Sequence, residues 1–158
     1  IPLRLVGSEM CIRDRAIYFQ MDDQDLNRIL QFPGTMIGSD GIPGDRHPHP
    51  RLWGTFPRVL GKYSREMKLF PLEEAVYKMT GKSASVFGLE SRGVIEVGNY
   101  ADLVVFNPKT VNDNASYQSP KLRSEGIENV FVNGMLVWEN DKPTSNRPGK
   151  FLPGKNFN

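Results

Sequence analysis

Apolar residues recur at spacings of three and four through the first half of the chain and as short β-branched and aromatic runs through the second. The pattern predicts a helical part followed by a strand-rich part. Leu26, Ile29 and Leu30 mark one buried helix face, with Asp22, Asp23 and Asp25 supplying the N-cap and first-turn acids. Pro33 and Gly34 stop that helix. Residues 35–38 form a short run suited to a buried parallel strand, and residues 39–53, rich in proline, glycine and charge, have loop composition. Thr55 is placed to cap a helix whose buried face is Phe56, Val59, Leu60, Tyr63 and Met67, with Pro57 tolerated in the first turn. Leu72, Ala75, Val76 and Met79 form the stripe of the next helix, Glu73 and Glu74 favour its N-terminal end, and Gly81 is placed to terminate it. A short helical segment over residues 83–87 ends at Gly88.

At Arg92-Gly93 the period changes. Val94-Ile95, Leu103-Val104-Val105-Phe106, Val130-Phe131-Val132 and Met135-Leu136-Val137-Trp138 read as strands separated by turn residues. Asn133-Gly134 between the last two is the strongest hairpin signal in the chain. From Lys142 onward the composition is that of a surface-bound or frayed tail. The helical stripes are most simply core packing, and none carries a catalytic expectation.

Composition narrows the function classes by exclusion. A formal charge of +2 with interspersed signs gives neither a basic stripe for nucleic acid nor an acidic tail. No apolar run approaches the roughly 20 residues of a membrane helix. Neither nucleic acid nor membrane is expected as a partner, the chain is expected to be cytoplasmic, and its oligomeric state is left open.

The segment from Leu5 to Arg15 resembles the translated end of a transposon adapter used in shotgun libraries, so residues 1–15 are set aside as an artefact. Cys11 goes with them, leaving no cysteine for disulfides or thiolate ligands. The natural sequence then starts abruptly at about Ala16, without an initiating methionine or signal peptide, which is the expectation for a truncated fragment. The organisation expected is residues 16–90 as one part, 91–141 as a β part and 142–158 as tail.

The most informative stretch is Met36-Ile37-Gly38-Ser39-Asp40-Gly41, followed by His49-Pro50-Arg51 and Gly54-Thr55-Phe56-Pro57-Arg58. Apolar residues run into glycine and then an aspartate, as at the end of a barrel strand where parallel α/β enzymes keep their chemistry. On these residues alone, Ser-Asp-Gly is first of all a turn signal and Arg51 a surface arginine in a polar loop.

Together these elements resemble the C-terminal barrel end of the D-aminoacylases, the N-acyl-D-amino-acid deacylases of the amidohydrolase superfamily. Arg92-Gly93-Val94-Ile95-Glu96-Val97-Gly98-Asn99-Tyr100-Ala101-Asp102-Leu103-Val104-Val105-Phe106 is similar to the strand-turn-strand that opens the superfamily's C-terminal β part, and is shared with dihydroorotases and hydantoinases. The resemblance spans about Ala16 to Leu152. It implies an α/β fold, here the C-terminal piece of a metal-dependent (β/α) barrel, its last strand and helices, followed by part of a small β-sandwich built from both chain ends.

The same resemblance implies that the parent enzyme hydrolyses N-acyl-D-amino acids to a D-amino acid and a carboxylate. Zinc would be the cofactor, lowering the pKa of its bound water toward ~7. Asp40 matches the position that takes the water's proton and returns it to the leaving nitrogen, and would be at most a weak or second-site metal contact. Arg51 matches a clamp for the substrate carboxylate through paired charge-assisted hydrogen bonds. Ser39 and His49 fall with it as substrate-binding, His49 also as an orienter of the loop. His47 matches nothing in the family and is not taken as a ligand. Arg58 is expected to pair with a scaffold carboxylate, and Asp102 to hold a turn or strand end.

The family's histidine and cysteine ligands would lie upstream of Ala16, so the isolated chain is expected neither to bind zinc stoichiometrically nor to turn over. Two other readings stand beside this one. A cyclic-amide hydrolase, hydantoinase- or dihydroorotase-like, would not need the clamp at Arg51 for a substrate without a free carboxylate, and a non-catalytic assembly module would leave Asp40 and Arg51 pointing apart.

Overall fold

In the computed structural model, which describes residues 17, 19–44 and 46–152, the first helix forms where the acids predict it. The adapter-like residues 1–15 lie outside the described residues. Helix α1 (Asp23–Gln31) is capped by Asp22, whose carboxylate accepts the Gln24 backbone N–H at 2.7 Å. Leu30 is buried and Leu26 packs on the same cluster, whereas Ile29 lies on the flank of the stripe and is exposed. Beyond Pro33 and Gly34, residues 35–38 are extended but join no ladder among the described residues. A strand needs a neighbour, and the Ile37 N–H instead donates to the Lys78 carbonyl at 3.2 Å.

Helix α2 (Arg51–Arg58) begins earlier than the Thr55 cap suggests. The proline-fixed backbone at Pro50 leads into it, and the Thr55 hydroxyl donates back to the Arg51 carbonyl at 2.7 Å rather than capping. Arg51 is therefore the first residue of a helix and not part of the loop. Pro57 sits inside this helix with no N–H to give the Trp53 carbonyl, which accepts the Ser124 hydroxyl at 3.3 Å in its place. The helix continues as a π-helical stretch, Val59–Glu66, in which the Met67 N–H reaches five residues back to the Lys62 carbonyl at 2.8 Å. Val59, Leu60 and Tyr63 are buried as the pattern predicts, while Phe56 and Met67, at the two ends of the expected face, are exposed.

Helix α3 (Leu72–Met79) and helix α4 (Gly81–Phe87) follow with only Thr80 between them, so Gly81 opens α4 as much as it ends α3. Gly88, at φ +66°, closes α4 as expected. Lys78 is 1% exposed. Its ammonium donates to the carbonyls of Leu30 at 2.9 Å and Phe32 at 2.8 Å at the C-terminal end of α1, where Phe32 also accepts the Thr35 N–H, and pairs with Glu74 at 3.3 Å.

The second half is one antiparallel sheet in the order β1 (Leu103–Phe106), β2 (Ile127–Val132), β3 (Met135–Glu139), β4 (Lys142–Pro143). Leu103 pairs with Phe131 and Val132 with Met135, with a register irregularity in each ladder. Asn133 and Gly134 take φ values of +49° and +77°, the two-residue hairpin their sequence predicts. Asn140 and Asp141, at +50° and +59°, form a second one. The chain past it is bound: β4 pairs with β3, and the Thr144 N–H donates to the Val137 carbonyl at 2.9 Å. Val94-Ile95 joins no ladder among the described residues, and Ile95 is 89% exposed.

Both halves meet in one core. Leu30, Val59, Leu60, Tyr63, Phe70, Ala75 and Val111 are buried together, with Ile37 from the extended segment and Phe106 and Ile127 from the sheet packed against them. No described helix is long and apolar enough to cross a membrane.

Candidate active site

Ile37 anchors the extended segment in the core, so the three residues after Gly38 emerge at a fixed point. Ser39 turns its hydroxyl oxygen back to the Gly41 N–H at 3.4 Å. Asp40 is held at φ +46°, a left-handed conformation that a short polar side chain tolerates. Gly41 is pressed onto the start of α2: a Cβ there would lie 2.4 Å from Leu52 Cδ1 and 2.8 Å from its Cα. That close approach brings Asp40 beside Arg51.

The two side chains meet. Arg51 Nη2 lies 2.7 Å from Asp40 Oδ2, and its Nε donates to the Asp40 carbonyl at 2.9 Å. An exposed pair of this kind contributes only about 0–1 kcal/mol to folding, and the Asp40 side chain is 81% exposed. Its significance is positional, since two contacts from one planar group fix where the carboxylate and the guanidinium stand relative to each other. The divergence of Asp40 and Arg51 that an assembly module requires is not found.

His49 holds the start of that helix. Pro50 offers no side-chain acceptor at the N-cap, and His49 Nδ1 accepts the Arg51 N–H at 3.0 Å. Burial, and after it the Arg51 charge, lower the His49 pKa below its ordinary value against an opposing pull from Asp40. With Nδ1 accepting, Nε2 is the ring nitrogen left to carry a proton in the neutral form, and it faces the Tyr117 hydroxyl at 3.4 Å. His47 reaches the same tyrosine, Nε2 to the Tyr117 carbonyl at 2.6 Å. Sequence reasoning passed over Tyr117, since a lone tyrosine in a polar loop carries no local signal.

Arg58 pairs with a scaffold carboxylate, as the sequence suggests, its Nη1 lying 3.1 Å from Asp113 Oδ2. The Asp113 side chain is 6% exposed and fits there because Gly54 has no Cβ, which would sit 2.9 Å from Asp113 Cβ. Burial opposes the Arg58 charge, but the Tyr63 hydroxyl and the hydrogen-bonded Asp113 carboxylate beside it outweigh this, so its pKa is raised. Asp102 holds the β part: one carboxylate oxygen accepts the Asn133 N–H at 2.7 Å at the hairpin, and the other pairs with Arg92. Arg92 in turn stacks on Tyr100, 4.1 Å from the ring centroid.

The donor set at the site does not by itself make a metal centre. Among the described residues no three His, Cys, Asp or Glu side chains gather, and a catalytic zinc takes about three protein ligands. What the arrangement offers is one exposed carboxylate able to exchange protons and one guanidinium with Nη1 and part of Nη2 left for an anion.

An aspartate at the mouth of a core-anchored segment, steadied by an arginine at a helix start, now finds its class. The chain belongs to the amidohydrolase family, whose profile matches residues 25–138. Over 137 residues it is 57% identical to the D-aminoacylase of Alcaligenes xylosoxydans xylosoxydans, which covers 87% of this chain and 28% of that enzyme. It is 55% identical over 137 residues to the N-acyl-D-glutamate deacylase of the same organism, with the same 87% and 28% shares. The crystal structure of the N-acyl-D-glutamate deacylase of Bordetella bronchiseptica, complexed with zinc and a phosphonate mimic of the tetrahedral intermediate, superposes with a TM-score of 0.83 at 52% identity, covering 87% of this chain and 29% of that one. The chain thus spans 28% of the length of the curated relatives it matches.

Proposed function

We propose that a longer chain carrying this segment hydrolyses the amide of N-acyl-D-amino acids, and that Asp40 and Arg51 are its proton-transfer residue and its carboxylate anchor. The observation that carries this is their contact at 2.7 Å. In an N-acyl amino acid the carboxylate and the amide nitrogen share one α-carbon, so the groups that handle them must stand within a few ångströms of each other. Arg51 keeps one edge on Asp40 and offers the other to the carboxylate. Asp40 then faces the amide, where it takes the proton of the attacking water and returns it to the departing nitrogen. Ser39 and His49 support the loop around the bound substrate.

Similarity to a D-aminoacylase and an N-acyl-D-glutamate deacylase, at 57% and 55% identity, supports a linear amide over a cyclic one, and a cyclic amide without a free carboxylate would leave Arg51 without its ligand. Zinc belongs to this proposal only for the longer chain. Among the described residues no three His, Cys, Asp or Glu side chains gather to hold one, and Asp40 would be at most a weak or second-site contact. We further infer that residues 16–90 supply the closing strand and helices of a (β/α) barrel and residues 91–141 part of a β-sandwich, with 142–158 as the tail. The extended but unpaired residues 35–38 and the exposed Ile95 support this.

The test is substrate choice. The longer enzyme is expected to hydrolyse N-acetyl-D-methionine and not dihydrouracil, with Arg51→Lys raising KM for the former by about 10–100-fold through loss of the paired geometry. Preference for dihydrouracil, or a KM untouched by Arg51→Lys, would overturn the assignment.

A further inference from the structure

We propose that Tyr117 is a positioning residue for Arg51, acting through His49, so that a loop of the β part sets the carboxylate anchor from 66 residues away. This rests on the reading of Arg51 given above. The first link is the helix start. The Arg51 N–H is one of the four that an α-helix leaves without an internal partner, and the acceptor it finds is His49 Nδ1. That acceptor exists only while Nδ1 is unprotonated. A ring with its proton on Nδ1 would turn a donor toward a donor, and the Arg51 N–H, alone of the first-turn amides in having a side-chain acceptor, would lose its partner.

The second link fixes the tautomer. Nε2 faces the Tyr117 hydroxyl at 3.4 Å, and the two rings stand edge to face, 5.3 Å between centroids and 79° between planes. A hydroxyl there accepts the Nε2 proton and so favours the ring form that leaves Nδ1 free. The third link holds Tyr117 itself. His47 grips its carbonyl at 2.6 Å, and Phe19 packs on its ring at 4.8 Å between centroids. His47 thereby acquires a role that the family motif does not give it. The two histidines flanking the buried Pro48 hold one tyrosine at its backbone and at its hydroxyl.

Simple packing and positioning separate at the hydroxyl. Tyr117→Phe keeps the ring and its stacking and removes only the acceptor. In this chain, nitrogen-resolved NMR of the imidazoles is expected to show His49 protonated at Nε2, shifting to a mixture of tautomers in Tyr117→Phe with a moved Arg51 amide resonance. In the longer enzyme the same change is expected to raise KM for N-acetyl-D-methionine by about five- to tenfold, the equivalent of one ordinary hydrogen bond, with kcat within about twofold. Combined with Arg51→Lys, the effects should fall short of additive, since both act on one group.

A His49 ring protonated at Nδ1 in the unaltered chain overturns the proposal, whether or not the variant folds. So do an unchanged tautomer in Tyr117→Phe and fully additive KM effects. If instead Arg51→Lys leaves KM unchanged while the tautomer responds as described, the linkage stands and the substrate-anchor reading fails.

Discussion

Asp40 occupies a backbone conformation that most side chains avoid, and its neighbours enforce it: Gly41 against Leu52 on one side, the Arg51 guanidinium on the other. His49 adds a dependence on pH. Its folded-state pKa lies below the ordinary value, so its contribution is complete above about 6.5 and is lost as pH falls through the depressed value. Between pH 7 and pH 5 the Arg51 amide resonance should therefore move and the thermal midpoint fall. His49→Asn, which keeps an uncharged acceptor, should be less acid-sensitive, and an equal acid response in the two proteins would contradict this. At this scale the sequence was partly legible. Asp40 and Arg51 stood out only through the family resemblance of the three short elements around them, and Arg58 was rightly placed against a carboxylate. The His49–Tyr117 contact and the Asp113 partner were not, because hydrogen bonds across 68 and 55 residues leave no local pattern.

Among the elements, the departures from the pattern share a cause in backbone hydrogen bonding. The start of α2 moved from Thr55 to Arg51 because a histidine side chain supplies the acceptor, a cap that a search for Ser, Thr, Asp or Asn does not find. Lys78 lies outside the apolar stripe of Leu72, Ala75, Val76 and Met79, yet it is buried as the C-terminal cap of a different helix. Lys78→Ala should cost about 2–4 kcal/mol, combining unsatisfied carbonyls with a cavity, and lower the urea midpoint without changing the slope. A loss under about 0.5 kcal/mol would show the cap to be dispensable. Gly41→Ala forces a Cβ onto Leu52 backbone, so it should cost about 1–3 kcal/mol and separate Asp40 from Arg51. Comparison of the Arg51 side-chain resonances in the two proteins checks this. The hairpins behave differently from the helices because turn chemistry is local, and Asn133-Gly134 formed as its dipeptide predicts.

Over the whole molecule, a helical half and an antiparallel sheet share one core, and the candidate site lies where the extended segment leaves it. The order of helices and strands was legible because periodicity is a property of the chain alone. The strand character of residues 35–38 and of Val94-Ile95 was not realised, because a strand is a property of a pair and the described residues supply no partner. The central claim is that Asp40 moves the proton in amide hydrolysis. Steady-state and single-turnover kinetics of Asp40→Asn in the longer enzyme, with N-acetyl-D-methionine, test it most directly. The account predicts that the chemical step falls by about 10²–10⁴-fold while substrate affinity is largely kept. A variant that turns over at the unaltered rate would contradict it.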